Sequence, residues 1–134
     1  MYNWLIDSGA THNMTPFRHN YVTYTTASMT VRCANGDSTS AEGYGDVLIN
    51  LKKEGKDPIP LLVKNVWFVP QLDMNLLSVA ELAQDKITIY FNAPSLPSFL
   101  FRNKRLLGFI QSINRKYWLS TTGAEPESFR KTLI

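Results

Sequence analysis

Short apolar runs separated by turn residues dominate the chain. An apolar run at residues 4–6 ends at Asp7, and residues 45–51 place apolar side chains at alternate positions. A period of two residues is typical of a strand with one buried face. The nearly continuous apolar stretch at 61–69 predicts a strand that is buried on both faces. Further strands are predicted at 29–34, 87–91, 99–102, 106–110 and 117–119.

One segment, residues 75–84, has the pattern of a helix. Ser78 and Glu81 are spaced as in a capping box, in which the serine hydroxyl accepts from a backbone N–H three residues later. Asn35-Gly36 follows the predicted strand at 29–34 and is a strong hairpin signal. Polar turns are also predicted at 53–58 and 103–105. The pattern therefore predicts an all-β domain with one short helix.

The length of 134 residues predicts a single domain. We expect a core at residues 1–91 and an extension at 92–134 that contains the predicted hairpin. A hairpin rich in aromatic and aliphatic residues can cover the edge of a sheet, so we expect the extension to belong to the same domain. Residues 120–134 show no periodicity and are expected to fray.

Composition and charge exclude several classes of protein. Hydrophobic residues make up 44% and charged residues 19%, which is typical of a globular protein. No apolar run approaches the roughly 20 residues of a membrane-spanning helix, so we expect no membrane contact. Cys33 is the sole cysteine, which excludes an intrachain disulfide and a cysteine-rich zinc site.

The net charge of +3 is unevenly distributed. Residues 1–101 carry 7 basic and 9 acidic side chains, whereas residues 102–134 carry 7 and 2. A basic tail can contact nucleic acid, but the basic residues here lack interleaved aromatic residues for base stacking. The pattern therefore favours a solvated hairpin edge over a nucleic-acid surface.

Asp7 differs from the other ten acidic residues because it alone ends an apolar strand. A strand end delivers a carboxyl group to the domain interior, where burial and nearby dipoles can change its pKa. The hydroxyl of Ser8 can orient a carboxylate, and Gly9 leaves room for close approach of a second backbone or a substrate. Asp-Ser-Gly alone is also a common turn, so the surrounding residues must distinguish the two interpretations.

The segment Trp4-Leu-Ile-Asp-Ser-Gly-Ala-Thr11 resembles the active-site loop of retroviral-type aspartic proteases. The nearest resemblance is to the protease segment of copia-type retrotransposon polyproteins. It continues in order along the chain, over roughly residues 4–91, with a weaker echo at 117–119. The later blocks are residues 31–36, 43–45, 65–70 and 75–79 followed by Leu82. Ordered blocks of this kind are far more specific than one tripeptide.

The resemblance implies a retropepsin-like acid protease barrel with a flap hairpin and one short helix. Asp7 matches the catalytic aspartate, and Ser8 matches the residue whose hydroxyl reaches across the two-fold axis. Gly9 matches the small residue between the two active-site loops. Ala10 and Thr11 complete the motif and are expected to support it.

The resemblance also assigns roles to two more distant segments. The hairpin at Asn35, Gly36 and Asp37 resembles the flap that closes over a peptide. Leu76 and Leu77 match the paired apolar residues that pack under the active-site loop. Retroviral enzymes have glycine at the next position, where this chain has Ser78, and copia-type sequences commonly carry serine there.

Hydrolysis by this route needs one carboxylate to activate water and one carboxylic acid to protonate the carbonyl oxygen. The chain offers one suitable aspartate, so we expect an obligate homodimer in which Asp7 faces Asp7 of the partner subunit. The expected function is an aspartic endopeptidase that cuts its own polyprotein, in the cytoplasm or in a virus-like particle. No metal or cofactor is needed, and nucleic acid is not expected as a partner.

Other interpretations remain open at this point. The domain could be a catalytically silent or domesticated β-barrel that binds a peptide or nucleic acid. His12 and His19 could imitate a metal triad with Asp7, although no predicted helix or strand brings them together. Ser8 with His12 could suggest a serine nucleophile, but the strained Gly-x-Ser-x-Gly turn is missing.

Overall fold

A computed structural model of the chain describes residues 3–33, 35–52 and 57–122. The strands and the helix are, in chain order, β1 (Trp4–Asp7), β2 (Asn13–Thr15), β3 (Thr25–Arg32), β4 (Ser38–Leu51), β5 (Ile59–Phe68), β6 (Asn75–Ser78), α1 (Val79–Gln84), β7 (Ile87–Tyr90), β8 (Ser98–Arg102), β9 (Arg105–Ile113), β10 (Lys116–Leu119) and β11 (Thr121–Thr122). Most of the predicted turn at 53–58, and the predicted tail beyond Thr122, lie outside the described residues.

The strands form one sheet in the order β11-β4-β5-β2-β6-β1-β10-β9-β8-β7, and β3 pairs with β4 outside this path. The expectation of a mostly β domain with one short helix is confirmed. The expected barrel is not closed in the described part of the chain, because the sheet ends at β7 on one side and at β11 on the other. Among the same residues, none of the helical structure is long and apolar enough to cross a membrane.

The centre of the sheet is built from strands that are distant in sequence. β6 pairs in parallel with β1 and in antiparallel with β2, so it separates the two strands that precede it. On its other side β1 pairs in antiparallel with β10, with Ile6 opposite Tyr117. Trp4 and Ile6 lie in the main hydrophobic core together with Leu77. The end of β1 is therefore held by a paired strand on each side and by the main core packed against one face.

The helix begins later than the sequence predicts. Residues Asn75–Ser78 form a strand, and only Val79–Gln84 are helical. Six residues cannot sustain a helix alone, since helix nucleation is unfavourable and short helices depend on tertiary packing. Pairing with β1 and β2 instead gives the backbone of β6 partners on both sides. The predicted cap is confirmed, because the Ser78 hydroxyl accepts from the Glu81 N–H at 3.1 Å.

The prediction that residues 61–69 are buried on both faces was wrong. Leu61 and Val63 are buried, whereas Leu62 is 37% exposed and lies opposite the exposed Leu48 of β4. Only one face of β5 is covered by the main core, so the second face remains in contact with solvent. Because Leu62 is an apolar residue on the exposed face, the sequence of β5 resembles that of a strand buried on both faces.

Gly43 and Gly45 allow the segment before β3 to cross β4 closely. A Cβ atom at Gly45 would lie 2.0 Å from the Thr23 carbonyl oxygen, and one at Gly43 would lie 2.3 Å from the Tyr24 ring. Neither separation is physically accessible to a side chain. The Gly43-Tyr44-Gly45 block is therefore required by packing within the domain.

The hairpin formed by β3 and β4 is joined to the rest of the domain by a second, smaller hydrophobic cluster. Met14, Val31, Ala41 and Val69 are buried in it, and Leu76 is among the half-buried residues packed against it. We call these four buried residues the second cluster. They connect the part of the hairpin nearest its turn, at Val31 and Ala41, to β2, which begins directly after the Asp7 loop.

Candidate active site

Asp7 occupies the last position of β1, directly opposite Ser78 in the parallel register with β6. The preceding pair, Ile6 and Leu77, is buried in the main core. Asp7 itself is half-buried, and the loop that follows it is exposed at Ser8, Gly9 and Thr11. The carboxyl group therefore stands on a rigid apolar base and remains open to solvent, as a group that reacts with an external substrate requires.

The loop folds back onto the carboxylate. The Gly9 N–H donates a hydrogen bond to Oδ1 of Asp7 at 2.8 Å. The same oxygen would lie 3.4 Å from a Cβ atom at Gly9, and apart from Gly9 and its chain neighbours no other atom of the described residues would lie within 4 Å of it. Within the described part of the chain, the space above Gly9 is thus open. A second backbone or a substrate can approach the loop there.

Ala10 is half-buried and is tied to the end of β6. The Ser78 hydroxyl donates to the Ala10 carbonyl oxygen at 2.7 Å, and the Ser78 N–H donates to Oδ1 of Asn13 at 2.8 Å. The side-chain amide of Asn13 in turn donates to the Lys64 carbonyl oxygen at 3.1 Å. Serine in place of glycine at position 78 therefore adds a bond to the loop that follows Asp7 and still permits close packing.

Leu76 and Leu77 lie on opposite faces of β6. Leu77 is fully buried in the main core, beneath the strand end that carries Asp7. Leu76 is half-buried and packs against the second cluster. The two leucines therefore connect the region of Asp7 to both hydrophobic clusters of the domain.

The predicted turn at Asn35-Gly36 joins β3 and β4. Gly36 has a φ of +90°, which glycine adopts without steric cost. The Asn35 side chain accepts from the Asp37 N–H at 2.9 Å and donates to the Asp37 carboxylate at 3.1 Å. None of the described contacts joins this turn to Asp7. The hairpin packs against the rest of the domain through Val31 and Ala41, close to this turn, and its role as a flap stays a prediction.

The histidines do not form a metal site. His12 lies with Nδ1 4.0 Å from a Glu81 carboxylate oxygen and with its ring edge toward Trp67. His19 lies near the Phe17 ring. The described residues contain no group of three potential metal ligands, and their contacts include no hydrogen bond between Ser8 and His12. Neither alternative chemistry finds support in this geometry.

One groove lies away from Asp7. It has a volume of about 750 Å³ and runs between the loop at residues 94–97 and strand β9. Asp7 is not among the described residues that line this groove.

Sequence reasoning missed one residue that the site uses. Asn13 is 2% exposed and connects Ser78 to the backbone of β5. Its neighbours His12 and Met14 give no periodic or motif signal. Asn13 begins the three-residue strand Asn-Met-Thr, which is too short to show a period of two residues, so no sequence signal pointed to this buried hydrogen-bond network.

Comparison with known proteins places the domain. Residues 4–87, more than half of the chain, match the family model described as "Pol polyprotein, beta-barrel domain". The chain belongs to this family. The matched range contains Asp7 and its loop, the flap-like hairpin, β6 and α1.

Two curated relatives of this Pol β-barrel domain come from retrotransposons. The chain is 33% identical over 89 residues to the "Retrovirus-related Pol polyprotein from transposon TNT 1-94" of Nicotiana tabacum. The aligned residues make up 66% of the chain and 6% of that protein. It is 33% identical over 82 residues to the "Retrovirus-related Pol polyprotein from transposon RE1" of Arabidopsis thaliana. This alignment makes up 60% of the chain and 5% of that protein. The chain thus spans a small part of these relatives. No solved structure matches it.

Proposed function

We propose that this Pol β-barrel domain is an aspartic endopeptidase that acts as a homodimer. The observation that carries the proposal is the placement of Asp7. Its half-buried carboxylate ends a strand that is fixed on both sides, and it is followed by an exposed glycine loop. Asp7 accepts from the Gly9 N–H of its own loop, a bond that an ordinary Asx turn also makes, so the proposal rests on the placement of the carboxylate and not on this bond.

The chemistry requires two carboxyl groups in contact. Two such groups cannot both ionise at low cost, so they share one proton and titrate as a pair. One chain supplies Asp7 alone, and the second group would be Asp7 of the partner subunit, brought close by a two-fold axis. The ionised member activates water, and the protonated member donates to the carbonyl oxygen of the scissile bond.

The proposed substrate is a polypeptide in extended form. The hairpin of β3 and β4 would cover it from one side, with Asn35, Gly36 and Asp37 at the tip. Because the relatives of the domain are Pol polyproteins, the polyprotein that contains the domain is the natural substrate. Processing would take place in the cytoplasm or in a virus-like particle, without a metal or another cofactor.

The test is cleavage of a peptide mixture at mildly acidic pH over a range of protein concentrations. We expect the rate per chain to fall steeply on dilution below the dimer dissociation constant, since two chains form one site. Asp7→Asn should abolish turnover. Asp73→Asn, which makes the same change at an exposed loop residue, should leave the rate unchanged and serves as the matched control.

Three results would contradict the proposal. Turnover that survives Asp7→Asn would exclude an aspartic mechanism. A rate per chain that is independent of concentration, with monomers in sedimentation, would exclude a shared pair of carboxylates. Binding of peptide or nucleic acid without any cleavage would favour the catalytically silent binding module.

A further inference from the structure

The loop between Asp7 and Asn13 has to pass over the end of another strand. β1 and β2, which the loop joins, are not paired with each other, because β6 lies between them. The loop therefore crosses the carboxyl end of β6, where Ser78 is located. Any contact made there fixes the loop at its midpoint.

Ser78 contacts the loop and the helix through its hydroxyl group and its backbone N–H. It is fully buried, and its hydroxyl donates to the Ala10 carbonyl oxygen at 2.7 Å while accepting from the Glu81 N–H at 3.1 Å. Its own N–H donates to Oδ1 of Asn13 at 2.8 Å. The loop is thus held at Ala10 and again at Asn13 by one residue.

We infer that Ser78, supported by Asn13, is a positioning residue that sets the location of the Asp7 carboxylate. The inference rests on the proposed function. Asp7 lies opposite Ser78 in the strand register, and Ala10 is bonded to the Ser78 hydroxyl, so the same residue fixes both ends of a four-residue segment. Between these two points only Ser8 and Gly9 remain free to move.

A short segment with fixed ends has few available conformations. The one observed brings the Gly9 N–H to 2.8 Å from the Asp7 carboxylate. Without the Ser78 hydroxyl, Ala10 loses its bond to β6 and the segment gains freedom next to the reacting group. Catalysis by a pair of carboxylates is sensitive to such a change, because a displacement of about 1 Å can lower a rate roughly 100-fold.

A purely structural role for Ser78 makes a different prediction. Ser98 offers the comparison, since it is 1% exposed and its hydroxyl accepts from the Asn92 N–H at 2.9 Å. It lies on β8, which is separated from β1 by β9 and β10. Ser98→Ala therefore removes a buried serine hydroxyl of comparable burial at a distance from the site and is the matched control.

The experiment compares the pH dependence of kcat and kcat/KM for the wild-type dimer and its variants. We expect Ser78→Ala to lower kcat by roughly 10- to 100-fold, with KM within about threefold of the wild-type value. The two limbs of the pH profile should move closer together, because carboxyl groups held less firmly in contact influence each other less. A reduced folded fraction would scale the profile without moving either limb.

Further variants keep the test independent of folding yield. Ser78→Thr retains the hydroxyl and should restore the profile, and Ser78→Cys, with a weaker donor, should give an intermediate one. Ser98→Ala should leave both limbs in place. His12 and Glu81, the other titratable groups that contact this region, are unchanged in every variant.

A second measurement does not depend on activity. Hydrogen exchange at the Gly9 N–H should be at least tenfold faster in Ser78→Ala than in the wild type and in Ser98→Ala. Unmoved pH limbs, or unchanged exchange at Gly9, would overturn the positioning role while leaving an active wild-type enzyme intact. If the wild type shows no cleavage that depends on Asp7, the proposed function fails, and exchange at Gly9 alone decides whether Ser78 anchors the loop.

Discussion

The close crossing at Gly45 gives a sharp test of how the domain is packed. We predict that Gly45→Ala lowers the free energy of unfolding by roughly 2–3 kcal/mol. The added Cβ atom would lie 2.0 Å from the Thr23 carbonyl oxygen and 2.7 Å from its carbon. Both atoms belong to backbone, so relief requires two chain segments to separate and cannot come from a rotated side chain.

The magnitude follows from the bonds that this separation would strain. Contacts between carbon and oxygen are seldom shorter than about 3.3 Å, so the segments must move apart by more than about 1 Å. Three hydrogen bonds cross the same gap: the Val22 N–H to Asp46 O at 2.9 Å, the Asp46 N–H to the Thr23 hydroxyl at 3.0 Å, and the Leu48 N–H to Asn20 O at 3.2 Å. Losing two or three bonds at about 1 kcal/mol each gives the predicted range.

Gly108 provides the matched control within the same sheet. A Cβ atom there would lie 3.4 Å from a Leu51 methyl and 3.7 Å from a Leu119 methyl, which is ordinary contact. Gly108→Ala should therefore be neutral or stabilise the domain by about 0.4–1 kcal/mol, since alanine restricts the unfolded chain. The two variants make the same chemical change with opposite expected signs.

Urea unfolding followed by circular dichroism measures both effects. With a slope of about 2 kcal/mol per molar, a loss of about 3 kcal/mol lowers the midpoint by roughly 1.5 M. The reasoning would be refuted if Gly45→Ala unfolded within about 0.5 kcal/mol of the wild type. It would also be refuted if Gly108→Ala were the more damaging of the two.

Three further substitutions test other parts of the sheet. Lys104→Gly and Arg115→Gly should each stabilise the domain by up to about 1 kcal/mol, which raises the thermal midpoint. Both residues have a φ of 65° in two-residue hairpin turns, where glycine is favoured. Lys116 does not have a positive φ, so Lys116→Gly should not stabilise the domain. Thr15→Val should cost about 1–3 kcal/mol by removing the buried 2.6 Å hydrogen bond to Asn75. Thr30 is exposed, so Thr30→Val should have little effect on stability. If Thr30→Val and Thr15→Val lowered the free energy of unfolding equally, the buried hydrogen bond could not be the cause.

Local signals explain why much of the fold could be predicted from the sequence. The turn at Asn35-Gly36 depends on two adjacent residues, and the helix cap depends on Ser78 and a backbone group three residues away. The placement of Asp7 at the end of a buried strand follows from the apolar run before it. Each of these features is determined within a few residues of the chain.

The features that could not be predicted depend on distant partners. Residues 75–78 carry a pattern that suits a helix or a strand, and pairing with β1 and β2 makes them a strand. Asn13 acquires its role only by meeting Ser78, 65 positions later in the chain. Likewise, exposure of Leu62 depends on which face of β5 the core covers. Such outcomes are set by topology, which no local pattern encodes.

The pairing of Ile6 with Tyr117 also sets the time at which the site can form. One neighbour of β1 is synthesised more than a hundred residues after it, so at about 5–20 residues per second roughly 6–20 s pass before that strand exists. Until then the Asp7 strand lacks one of its two neighbours. Under the proposed function, cleavage by a chain that is still being synthesised would be delayed until β10 has left the ribosome.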